Sequence, residues 1–248
     1  MLQPSTRHTR RPRRRRHLVA FQSRIVRRRA GSGGIFLEYP PDQTPAEELA
    51  NALTHAAAAV ASLAGGIWLI AAVERRKDPL MTMGCAVYAA SLFAVFTMST
   101  LSHWLQAPRL RGLFRALDQA SIYLLIAGSA TPFLIRYLVP LGWDWVLPVL
   151  WGLALLWAWD KIRGHGVNSI SVVSYVSLAW LPVIAARPVV GAMPAGCTAL
   201  VLTMGACYMG GIVFLIHDGR RRFFHAVWHV FVIAASACTF AAIAVYVV

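Results

Sequence analysis

Long apolar stretches separated by short charged or glycine- and proline-bearing connections set the rhythm of this chain. Seven stand out, at about 49–73, 79–104, 117–135, 143–159, 168–186, 196–216 and 224–248. Each approaches the ~20 apolar residues that a helix needs to cross a hydrocarbon core. Inside lipid every backbone N–H and C=O must be bonded within the protein, so runs of this length predict helices. The stretch at 143–159 is short and that at 168–186 is rich in serine. Trp143, Trp145, Trp157 and Trp159 bracket the former as an interfacial belt would, which supports its crossing. The pattern predicts an all-α membrane protein: a seven-transmembrane helix bundle over residues 46–248, preceded by a basic arm and linker over residues 1–45. Pro132, Pro148 and Pro182 fall within stretches and predict local kinks where backbone bonds are lost. The small residues of Ala64–Gly66 and Gly205–Gly211 predict close helix approach.

Composition agrees, since 58% hydrophobic and 14% charged residues over 248 positions is too apolar for an ordinary soluble domain. The 24 Lys and Arg then orient the bundle. Eleven are arginines of residues 1–29. Others follow the second stretch (Arg109, Arg111, Arg115), the fourth (Lys161, Arg163) and the sixth (Arg220, Arg221, Arg222). Only Arg75, Arg76, Lys77, Arg136 and Arg187 fall on the other side. Basic residues collect on the cytoplasmic face, so the N-terminus is expected inside and the C-terminus outside. The formal net charge of +14 reflects a solvated arm beside an anionic leaflet, each basic residue contributing about 1 kcal/mol of attraction. No folded soluble module accompanies the arm, which argues against nucleic-acid binding. Residues 1–37 lack acids and also resemble an organellar transit peptide, but no apolar region follows the arginines as in a secretory signal. Cys85, Cys197, Cys207 and Cys238 form no C-x-x-C pair and read as small hydrophobes.

Ionisable groups within membrane stretches are costly, so each one that remains is a functional candidate. These are His55, His103, Asp118, His225 and His229. His217 and Asp218, at a loop junction, read as solvated, as do His165, His8 and His17. In the expected topology His103 ends the second stretch, Asp118 opens the third and His225 opens the seventh. His229 lies about 6 Å deeper than His225 by helical rise. Residues four apart share a helix face, so His225 and His229 can point to one spot, and Ser99 and His103 have the same spacing. Three histidines and a carboxylate thus fall at one depth on one side. Three neutral imidazoles with an open position suit a catalytic zinc, although imidazole also suits Cu, Fe and Ni. His55 reads as a structural hydrogen-bonding residue rather than a ligand.

The segments "EELANALTHAAAAVASLAGG", "STLSHWL", "LDQASIYLLIAGSATPFLI" and "FFHAVWHVFVIAASA" resemble the hemolysin III family. That family is the bacterial branch of the progestin and adipoQ receptor group, within the alkaline-ceramidase-like superfamily. The resemblance covers about residues 46–248 and rests on S-x-x-x-H, an L-D pair and H-x-x-x-H in this order. It implies a seven-helix bundle in a bacterial inner membrane with Zn2+ near the cytoplasmic face. His103, His225 and His229 would ligate the metal, Asp118 would contact it through water, and Ser99 would sit beside it. Gln119, Thr239 and Ser102 depart from residues common in the family, outside the implied ligand set. Zinc with an open position favours hydrolysis of a membrane lipid, such as a ceramide-like amide or an ester, with Asp118 as general base. Ser99 would bond a ligand histidine or the developing oxyanion. The alternatives are a non-enzymatic metal-braced membrane sensor or homeostasis protein, and a cytolysin.

Overall fold

The computed structural model describes residues 37–38, 43–163, 169–170, 172–185 and 193–248. The arginine-rich arm, His8, His17, His165 and Arg187 lie outside these residues. Seven α-helices account for most of what is described: α1 (Pro45–Glu74), α2 (Pro79–Trp104), α3 (Pro108–Phe133), α4 (Val146–Ile162), α5 (Val172–Ala185), α6 (Ala195–Ile216) and α7 (Phe224–Ala242). The two-residue strands Leu37–Glu38 and Ser169–Ile170 pair antiparallel.

Five helical segments are long and apolar enough to cross a membrane: Pro45–Glu74, Pro79–Trp104, Pro108–Leu141, Ala195–Ile216 and Phe224–Val247. The 17-residue α4 and 14-residue α5 fall short of that length. Large apolar side chains such as Val60, Ile67, Ile184, Leu202 and Val245 face outward. Serines, histidines and glutamate are buried instead, as a lipid environment favours. The chain is therefore a multi-pass integral membrane protein, consistent with residence in a bacterial inner membrane.

Local chemistry explains the helix ends. Thr44 and Glu47 form a capping box at the start of α1: the Thr44 hydroxyl accepts from the Glu47 amide, and the Glu47 carboxylate accepts from the Thr44 amide. Asp78 caps α2 by accepting from the Met81 amide at 3.0 Å. The third helix begins nine residues before the expected boundary at 117. Pro108 occupies its first turn, where a missing N–H costs nothing, and Arg109, Arg111 and Arg115 lie in the helix rather than in a connection. Long arginine side chains reach the interface from such positions, so their charge does not end the helix. Lys161 likewise lies in the last turn of α4, and Arg136 lies in the helical continuation of α3.

Only part of the proline expectation holds. Beyond Pro132, α3 widens into a π turn at Leu134–Leu138 and then a 3-10 turn at Val139–Leu141. Pro148 stands third in α4, where its missing N–H breaks no helical bond, so the expected kink has no basis there. Pro182 lies inside α5.

Helix α1 packs on α2 and α7, α7 on α6, and α3 on α2, α4 and α5. One core, including Leu69, Tyr88, Phe96, Val232 and Ile243, joins α1, α2 and α7. A second, including Tyr123, Leu150, Ala154 and Leu178, joins α3, α4 and α5. Close approach occurs at Gly66 and Gly211 of the expected stretches but not at Gly205, where a Cβ would meet nothing within 4 Å. A Cβ on Gly66 would stand 2.9 Å from that of Ala89, and one on Gly211 2.7 Å from that of Phe231. Among the described residues the cysteines are free, as their scattering implied.

Candidate metal centre

The up-and-down path brings the starts of α1, α3 and α7 to one end of the bundle with the ends of α2 and α6. A left-handed residue sets where α7 starts: Phe223 has φ 63°, and its amide donates to Glu47 Oε1 at 3.0 Å. The residue that caps α1 thereby also anchors α7 beside it.

His103, His225 and His229 are buried at this end, and one ligand atom from each lies within 4.8 Å of the others. Their ring centroids are 5.0 Å apart for His103–His225, 5.3 Å for His103–His229 and 4.6 Å for His225–His229. The i, i+4 spacing in α7 and the final turn of α2 bring together the three rings that their depth predicted. Such a group can hold a metal ion.

Every one of these rings is already engaged through Nδ1. His103 donates from Nδ1 to Glu48 Oε2 at 2.7 Å, and His225 to Asp218 Oδ2 at 2.8 Å. His229 donates to the Asn51 carbonyl at 3.2 Å, with Thr54 Oγ1 3.3 Å away. Carboxylate and carbonyl oxygens only accept, so each ring carries its proton on Nδ1, which leaves its lone pair on Nε2. Nε2 of His103 is buried with no hydrogen-bond partner. A buried acceptor without a hydrogen-bond partner beside two further imidazoles is a donor set suited to a metal ion.

Asp118 is not among the converging ligand atoms. Its Oδ2 accepts from the Ser102 hydroxyl at 3.3 Å, and Ser99 lies within reach of the same carboxylate. Ser99 is thus a neighbour of Asp118. Ser102 also donates to the Ser99 carbonyl at 2.9 Å, which keeps the two serines together.

Two expectations are corrected. Asp218 is not a solvated junction residue: its side chain is 7% exposed and bonds His225. His55 makes no structural hydrogen bond. Both its ring nitrogens are buried and unpartnered, while the ring stacks on His229 and meets Phe96 edge-on. Glu48, Asn51 and Arg111 were not recognised as part of this region. Glu48, Asn51 and His55 stand at i, i+3 and i+7 of α1, which places them on one helix face. That spacing was the available signal.

Comparison with known proteins agrees with the geometry. The profile described as haemolysin-III related matches residues 43–240. Hemolysin-3 of Bacillus cereus is 35% identical over 203 residues, covering 81% of this chain and 92% of that protein. The Hemolysin-3 homolog of Bacillus subtilis (strain 168) is 30% identical over 204 residues, covering 82% and 95% respectively. The human monocyte to macrophage differentiation factor is 28% identical over 233 residues, covering 89% and 90%. A buried histidine cluster at one end of a helical membrane bundle, and matched sequence along most of its length, make this chain a member of the haemolysin-III related family.

Proposed function

We propose that His103, His225 and His229 hold a zinc ion, and that the protein hydrolyses a long-chain lipid amide or ester, such as a ceramide-like amide. The observation that carries this reading is the Nδ1 bonding of all three clustered rings, which leaves the lone pair of each on Nε2. Bound zinc supplies carbonyl polarisation and a water acidic enough to ionise near neutral pH.

The chain's own residues supply the rest. Asp118, beside the ligand cluster but outside it, accepts the proton of the attacking water as general base. Ser102, and Ser99 next to it, fix the carboxylate for that transfer. The outward apolar side chains lie against the acyl chains of the bilayer, so a lipid substrate would approach from within the membrane. Arg109, Arg111, Arg115, Lys161, Arg163 and Arg220 to Arg222 crowd the site's end, and this excess of basic residues supports a cytoplasmic site with Val248 on the outer side. Alkaline phosphatase fused after Val248 is then active; an inactive fusion reverses the orientation. The test of function is fatty-acid release from defined lipids by purified protein. Release that survives His225→Ala or His229→Ala contradicts the hydrolase.

One observation favours a second reading. The same hydrogen bonds tie α1, α2, α7 and the α6–α7 turn together, as a metal brace in a non-enzymatic sensor or homeostasis protein would. Rescue of a deletion phenotype by Asp118→Asn supports the sensor, because turnover needs the carboxylate and a brace does not. The relatives' name raises direct cytolysis, which a haemolysis assay on cell-free supernatant decides; the outward apolar side chains favour an integral resident instead.

A further inference from the structure

Glu48 stands out among the buried polar residues because it belongs to neither the ligand set nor the general base. It sits in the first turns of α1, and its two oxygens are divided between two other helices. Oε2 accepts from Nδ1 of His103 on α2 at 2.7 Å, and Oε1 pairs with the Arg111 guanidinium on α3. The Glu48 side chain is 7% exposed and that of His103 3%. A carboxylate this buried needs a compensating cation, and Arg111 supplies it without competing for the oxygen that faces His103.

We infer that Glu48 is the positioning residue for the metal ligand His103. It holds the ring through Nδ1, with Nε2 left on the side of His225 and His229, and Arg111 fixes the other oxygen of Glu48 in place. The inference rests on the zinc reading above and adds a residue to it. A carboxylate behind a ligand imidazole fixes ring orientation and raises ligand basicity, and its loss typically weakens metal binding about 10- to 100-fold. Glutamine in its place offers one oxygen and an NH2 group that cannot accept from either partner. Aspartate keeps the charge but withdraws it by one methylene. Glu74, exposed at the opposite end of α1, takes no part in this arrangement, so it is the internal control.

The experiment is a Co2+ titration of the purified full-length chain in detergent, followed by visible absorption and by competition with Zn2+. Wild type and Glu74→Gln are expected to bind Co2+ with the same affinity and the same band shape. Glu48→Gln and Glu48→Asp are expected to bind about 10- to 100-fold more weakly, with a changed band. If Glu48→Gln does not fold, Glu48→Asp gives the reading by itself. Unchanged affinity and band shape in the folded Glu48 variant, even with a lower thermal midpoint, reduce Glu48 to a structural brace and overturn the inference. Wild-type protein that takes up neither Co2+ nor Zn2+ overturns the zinc reading itself.

Discussion

The imidazole of His55 lies flat against that of His229, with ring centroids 3.6 Å apart and 13° between the planes. Neither nitrogen of His55 has a hydrogen-bond partner, although the ring is buried. An unsatisfied buried polar group costs about 1–3 kcal/mol, so the stacking surface rather than the nitrogens keeps His229 in place. His55→Phe retains a flat ring and removes the unpaired atoms. It is expected to keep full zinc content and a thermal midpoint in chelator at or above wild type. Loss of zinc from this variant makes His55 a ligand.

Under the proposed hydrolase reading, Asp118 separates metal binding from turnover. Its carboxylate bonds Ser102 and stands outside the ligand atoms, so Asp118→Asn is expected to retain zinc. Fatty-acid release should fall about 10²- to 10⁴-fold, the usual contribution of a positioned general base. Parallel assays of metal content and release check this; zinc lost together with activity assigns Asp118 to the ligand sphere.

Asp218 does for His225 what a carboxylate behind a ligand does elsewhere, and it does so from a turn between α6 and α7. Gln43 also donates to its Oδ2, at 3.3 Å. Asp218→Asn is expected to weaken zinc about 10- to 100-fold while the helices stay folded, read by chelator competition and circular dichroism. Equal affinity in the two proteins would show that His225 needs no outer acceptor.

Gly128 tests the packing of α3 on α2. A Cβ there would stand 2.2 Å from Ser91 Oγ and 3.0 Å from Ser91 Cβ. Gly128→Val forces the helices apart at about 1–3 kcal/mol or more, so the thermal midpoint in detergent should drop. An unchanged midpoint would mean that the two helices do not meet as described.

The apolar runs made the helices readable, because lipid leaves a long apolar segment few other structures. The early start of α3 escaped that logic: Arg109, Arg111 and Arg115 resemble a connection by hydropathy, yet Pro108 begins a helix there. The clustering of the three histidines was readable because the i, i+4 pair in α7 and the end of α2 share one depth. Its support was not. Glu48 sits among first-turn acids that any helix start attracts, and Asp218 sits in a turn where a carboxylate reads as solvated. Only the packing of α1 against α2 and α7 reveals that both are turned inward to histidines. His55 shows the reverse failure, since a polar residue in a membrane helix invites a hydrogen bond that the bundle does not provide.

Elemental analysis of the purified protein, wild type beside a His103→Ala, His225→Ala, His229→Ala triple variant, bears most directly on the metal centre. Stoichiometric zinc in the wild type and none in the folded triple variant is the expected result. Wild-type protein without bound metal, or zinc persisting in the triple variant, contradicts it.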